Sequence, residues 1–125
     1  MTALQVAAPR IAPDIVSRLL RSRPAATGEH FAMHWKALPA TTAGVLFLSV
    51  PKRQLARAVD RNLVRRIARE AWRGAGVAHR PIAVMVKMRR RPDWFAAAGV
   101  RQKRRQLRVE LDMLFQHRSL GGAGQ

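Results

Sequence analysis

The chain has 125 residues, 48% of them hydrophobic, which is enough for one domain with a real core and too apolar for wholesale disorder. Lys and Arg number 24 against seven Asp and Glu, a formal charge of +17; such a domain repels itself and calls for a polyanion, nucleic acid first, an anionic membrane surface second, an acidic protein third. There is no cysteine, which excludes disulfides, thiolate zinc sites and thiol catalysis, and no apolar run approaches the roughly 18 residues of a membrane-spanning helix.

Residues 1–13, with Pro9, Pro13 and a lone Arg10, lack the charged start and apolar stretch of a secretory signal; they read as a flexible arm on a cytoplasmic protein. Residues 14–118 read as a single α+β domain, and 119–125 as a disordered tail. Asp14 can cap a short helix through Ile15, Val16, Leu19 and Leu20, stopped by Pro24. His30–Leu38 alternates, with Phe31, Met33 and Trp35 on one side, and predicts a strand. Pro39–Thr42 is a turn. Gly44–Val50 is nearly continuously apolar and predicts a buried strand ended by Pro51. Gln54–Arg73 is helical by pattern and stops at Gly74 and Gly76. Ile82–Met88 predicts a third strand. Val100–His117 predicts a closing helix with Val100, Leu107, Leu111, Leu114 and Phe115 on one face. The order α-β-β-α-β-α gives a small mixed sheet packed with helices.

The chemistry concentrates in Lys52–Arg73, which holds eight cations against Asp60 and Glu70. On a helix, Arg57, Arg61, Arg65, Arg69 and Arg73 recur every four residues, Asn62 and Arg66 fall on their side, and Val59, Leu63, Ile67 and Ala71 fall opposite. Like charges four apart cost a few tenths of a kcal/mol per pair, a standing cost that phosphates would remove. Guanidinium forks bind phosphate bidentately. A merely solubilising face normally mixes signs, and this one does not. Trp72 falls among the arginines, able to stack on a base but better suited to packing beneath arginine stems. Smaller basic clusters stand at Lys87, Arg89, Arg90 and Arg91, and at Arg101, Lys103, Arg104, Arg105 and Arg108, where cations in a first helical turn oppose the macrodipole.

Protein-side catalysis finds little support. The seven carboxylates, Asp14, Glu29, Asp60, Glu70, Asp93, Glu110 and Asp112, form no Asp-x-Asp or Glu-x-Lys cluster. His30 and His34 read as two partly exposed polar positions sharing one strand face. The competing classes are a ribosomal or general RNA-binding protein and a DNA-binding regulator that uses Gln54–Arg73 as a recognition helix. The latter needs a helical partner just upstream, where Gly44–Val50 is strand-like. A membrane-surface helix is weaker still, because the apolar face lacks bulky aromatic anchors.

Leu48-Ser49-Val50-Pro51-Lys52-Arg53, followed by Arg61-Asn62-Leu63-Val64-Arg65-Arg66-Ile67-Ala68-Arg69-Glu70, resembles the bacterial ribonuclease P protein component. That family carries a strand ending in a basic pair, then Arg-Asn-x-x-Lys/Arg-Arg-x-x-Arg-Glu, then an aromatic, here Trp72. The resemblance runs from about Ile11 to His117. It implies a ribosomal protein S5 domain 2-like fold with a left-handed βαβ crossover around the Arg-Asn helix. It also implies the small subunit of an endoribonuclease that removes the 5′ leader of precursor tRNA, in which the RNA catalyses. The implied contacts with the catalytic RNA are Lys52, Arg53, Arg57, Arg61, Asn62, Arg65, Arg66, Arg69 and Arg73. A cleft beside the first helix would take the single-stranded leader. Its expected lining is Val16, Leu20, His34 and Ile82, where the family tends to carry aromatics, so leader stacking is expected to be weakened. The implied partners are the RNase P RNA and the precursor tRNA leader, with no membrane, in a 1:1 ribonucleoprotein with a monomeric protein. No cofactor is expected on protein side chains, and Mg2+ is expected through the RNA subunit. Leu63 stands where the family commonly has a basic residue, which its place on the inward side tolerates.

Overall fold

The computed structural model describes residues 13–122; of the arm expected at 1–13, residues 1–12 lie outside the described residues and Pro13 belongs to the first helix. Helix α1 (Pro13–Arg21) opens on a proline, whose missing N–H a first turn does not need, with Asp14 in that turn rather than before it. It is followed by β1 (Ala26–Thr27), β2 (Phe31–Ala37) and β3 (Val45–Ser49), then α2 (Ala58–Ala75). A 3-10 turn (Val77–His79) leads into β4 (Ile82–Met88), and α3 (Val100–Phe115) and α4 (Arg118–Gly122) complete the order.

The sheet order is β1-β2-β4-β3. β2 runs antiparallel to β4, pairing Phe31 with Met88 and Ala37 with Ile82; β3 runs parallel to β4, pairing Val45 with Ala83 and Ser49 with Lys87. Parallel neighbours need a crossover, and α2 supplies it. β4 is central, and Ile82 through Val86 are all buried, as a strand covered on both faces must be.

Strand alternation divides the core in two. Phe31, Met33, Leu46, Leu48, Ile82, Val84, Val86 and Met88 face α2, α3 and α4, where they meet Val64, Ile67, Ala68, Ala71, Leu107, Leu111 and Phe115. On the other face Val45, Phe47, Ala83 and Met85 pack against Ile15 and Leu19 of α1. Trp72 belongs to the first core, with its ring edge-on to Phe115 at 5.5 Å and 71°.

Several expectations need correction. Helix α2 begins at Ala58, not Gln54, because Pro51 to Leu55 close a turn (Gln54 N to Pro51 O 3.0 Å, Leu55 N to Pro51 O 3.2 Å). The side chain of Gln54 fastens that turn by donating to Arg89 O and accepting from Arg91 N. Val59 is 58% exposed and Val100 62% exposed, so neither joins the apolar face expected of it. Of the tail expected at 119–125, residues 119–122 are helical instead and 123–125 lie outside the described residues: Leu120 is buried in the core, and its carbonyl accepts from the Arg80 guanidinium. His30 and His34 are both buried and turn different ways, His30 to Glu110 of α3 and His34 to Ser22 after α1.

Candidate nucleic-acid interface

Helix α2 needs its inward face for packing, and this decides where its arginines go. Each step of four residues advances about 40° beyond a full turn. The row from Arg57 to Arg73 therefore winds around the helix instead of climbing one face. Arg57 and Arg73 at its ends are exposed, Arg61 and Arg69 are partly buried, and Arg65 between them is buried. Val64, Ile67, Ala68, Ala71 and Trp72 form the buried arc, and Arg65 is caught beside them, only 8% exposed.

Arg61 lies partly buried and donates from Nη1 to Leu55 O at 2.9 Å and Ala56 O at 2.8 Å, lashing the preceding turn to the helix. Arg65 donates to Asn62 Oδ1 at 3.3 Å, so the exposed Asn62 amide keeps both N–H donors for another partner. The Nε of Arg65 is buried with no hydrogen-bond partner among the described residues. Burial pushes the Arg65 pKa below the ordinary arginine value, and the neighbouring charges of Arg61 and Arg69 push the same way. Arg69 is partly buried. Lys52, Arg53, Arg57, Arg66 and Arg73 are exposed. The forecast of a fully outward row thus fails at Arg61, Arg65 and Arg69 because of helix drift.

The acids of α2 point elsewhere. Asp60 lies 3.7 Å from Lys103 Nζ, and Glu70 lies 3.1 Å from Arg104 Nη2, both across the contact with α3. Lys103 also sits 4.4 Å from the centre of the Phe95 ring. The solvent arc of α2 is left with Asn62, Arg66 and Arg73 and no carboxylate among them.

A second feature opens on the α1 face of the sheet, a cleft of about 330 Å3 lined by Leu20, Pro24, Ala32, His34, Arg53, Lys87, Met88 and Arg89. Of the four residues expected there, Leu20 and His34 line it. Val16 packs one turn earlier against the apolar cluster of Ile15 and Leu19. Ile82 is a correction: strand alternation turns it to the opposite face, fully buried with Val84 and Val86. The cations Arg53, Lys87 and Arg89 were not expected here. Their signal was available, since Lys87 shares the parity of Ala83 and Met85, and Arg53 follows β3, which lies beside β4.

His34 is 6% exposed. Its Nδ1 lies 3.2 Å from Ser22 Oγ, and that hydroxyl donates its one hydrogen to Leu19 O at 2.8 Å. Ser22 must then accept, so Nδ1 carries the proton and Nε2 keeps a lone pair. Burial lowers the His34 pKa below its usual value and the Lys87 charge lowers it further, with the hydrogen bond to Ser22 acting the other way. The ring is neutral near pH 7. Among the described residues no three His, Asp or Glu side chains come together as a metal-ligand set, and no helix is long and apolar enough to cross a membrane.

Comparison with known proteins bears on this arrangement. A family model described as Ribonuclease P matches residues 16–117. Among solved structures, the RNase P protein from Thermotoga maritima, in complex with 1-(4-fluorophenyl)-2-thiourea, superposes with a TM-score of 0.58 at 20% identity, covering 80% of this chain and 92% of that one. A search of curated proteins returned no match.

Proposed function

Since this chain belongs to the ribonuclease P protein family, and so has its role in an endoribonuclease complex that processes tRNA, we propose that it grips two RNA elements of that complex. The catalytic RNA lies on the solvent arc of α2, with Asn62, Arg66, Arg69 and Arg73, and on the preceding turn with Lys52, Arg53 and Arg57. Arg61 and Arg65 act from beneath, one fastening the turn and the other holding the Asn62 amide. The single-stranded 5′ leader of precursor tRNA occupies the α1 cleft. There Arg53, Lys87 and Arg89 meet its phosphates, and Leu20 and His34 meet its bases or sugars.

One observation carries the reading. The carboxylates of α2 are drawn to α3 cations, so the exposed arginines of α2 face solvent with no acid of their own helix among them. A surface kept basic in that way lowers the salt-dependent free energy of phosphate binding by counterion release. The protein's part is positioning and charge screening, and the hydrolytic step belongs to the RNA subunit with its Mg2+. The ribonucleoprotein is 1:1.

Reconstitution with a bacterial ribonuclease P RNA tests this directly. At low Mg2+ the protein is expected to accelerate 5′ leader removal from precursor tRNA. Cleavage that is no faster with the protein than with RNA alone overturns the reading.

A further inference from the structure

The contact between α2 and α3 leaves a groove of about 320 Å3, lined by Ile67, Glu70, Arg101, Arg104, Arg105 and Arg108. Four guanidinium groups surround one carboxylate. Glu70 is engaged by Arg104, through contacts of 3.1 and 3.4 Å to its two oxygens. Arg108 is oriented from two sides. Its Nε donates to Asp112 Oδ1 at 2.8 Å, and its Nη2 rests against the last turn of α2, 2.8 Å from the point a Cβ on Gly74 would occupy. Arg101 and Arg105 are exposed and make no hydrogen bond or ion pair among the described residues.

The fold employs Arg104 and Arg108 in ion pairs with Glu70 and Asp112, but it makes no use of the charges of Arg101 and Arg105. Helix α3 has no acid in its first turn, and cations there oppose the macrodipole. Surface solubility would be served as well by mixed signs. The groove adjoins the solvent arc of α2 without sharing a cation with it: Ile67 and Glu70 lie on the flank turned to α3, Glu70 one helical turn from Arg66 and Arg73, and the α1 cleft is across the sheet.

We propose that the α2/α3 groove is a second phosphate-backbone site, which takes a stretch of the RNA subunit distinct from the one on the solvent arc of α2. Arg101 and Arg105 supply unpaired forks, and Arg108, oriented by Asp112, supplies a positioned one. This rests on the RNA-binding reading above and deepens it: the protein holds the RNA along two adjoining flanks of one helix pair.

The test uses the full chain and a bacterial ribonuclease P RNA, with affinity measured across a salt series and hydroxyl-radical protection of the RNA mapped. Arg101→Ala with Arg105→Ala is expected to weaken binding roughly tenfold and to reduce the slope of log affinity against log salt by about two. It should also expose a set of nucleotides different from those exposed by Arg66→Ala with Arg73→Ala. The charge-keeping R101K/R105K variant should hold the wild-type slope. If the first pair matches wild type in affinity and slope while the Arg66 and Arg73 pair weakens binding, the groove is no RNA site and the proposed function stands. If both pairs expose the same nucleotides, or if R101K/R105K loses the slope as well, the second site is overturned. If neither pair changes binding, the RNA-binding reading itself fails.

Discussion

His34 shows how much of a side chain's chemistry is set by one neighbour. In sequence it is a polar residue in a strand, and alternation puts it on the face opposite Phe31 and Met33. What alternation could not supply is Ser22, whose hydroxyl spends its hydrogen on Leu19 and thereby fixes the imidazole tautomer. The result is a neutral ring with an acceptor at Nε2, suited to a base N–H or a ribose hydroxyl. Its pKa is lowered in the folded state, so the unfolded chain takes up the proton first as pH falls. Stability therefore carries no His34 dependence above the ordinary histidine value and declines as pH drops through about 6.5. The difference in thermal midpoint between wild type and His34→Gln should be constant from pH 8 to 7 and shift in favour of the variant toward pH 5.5. A difference that stays flat over the whole range would remove the burial-driven account.

The same limit recurs at the level of helices. That Lys52–Arg73 contains a basic helix is plain from spacing, and so is its glycine stop: Gly76 takes φ 75°, the left-handed conformation that closes α2. Which arginine faces outward is not plain, because a row spaced at four residues drifts around the axis while the packed arc is fixed by Val64, Ile67, Ala68, Ala71 and Trp72. An assignment that opposes Val59 and Leu63 to the arginines is rotated relative to this arc, and it misplaces both Val59 and Arg65. Arg65 then bears the cost of burial, with an unpartnered Nε and two like charges beside it. Replacing a buried, incompletely paired cation by an apolar group of similar length is neutral or stabilising. Arg65→Met should raise the thermal midpoint by roughly 3–5 °C. It should also weaken binding to the ribonuclease P RNA, since Asn62 loses the partner that orients it. A variant less stable than wild type would mean that Arg65 serves the fold.

At the scale of the molecule, the strand and helix order follows from hydrophobic runs and turn residues alone, with two omissions. β1 is two residues long, too short for any periodicity, and exists because Ala26 and Thr27 pair with Met33 and Ala32. α4 carries a single core residue, Leu120, in a glycine-rich stretch. The cleft was half legible: the α1 and β2 sides followed from helix and strand pattern, whereas the β4 side required knowing which parity of that strand faces α1. Long-range polar ties were not legible at all. Glu110 accepts from the backbone N–H of His30 and Phe31, at 2.8 and 2.9 Å, and from His30 Nδ1. It approaches so closely that a Cβ on Gly28 would stand 2.5 Å from its Oε2. Removing that carboxylate strands two backbone donors, so Glu110→Ala should cost roughly 2–4 kcal/mol in denaturant unfolding. A loss under half a kcal/mol would show that the turn closes without it.

That tie spans 80 positions, and it sets an order of assembly. A nascent chain reaches the β1–β2 turn early, yet the group that secures the turn belongs to the last long helix. Until that helix docks, the amides at His30 and Phe31 stay open at a strand end, a template on which another unfinished chain can pair. Versions cut short before Glu110 should therefore associate with one another rather than remain as separate, partly folded molecules.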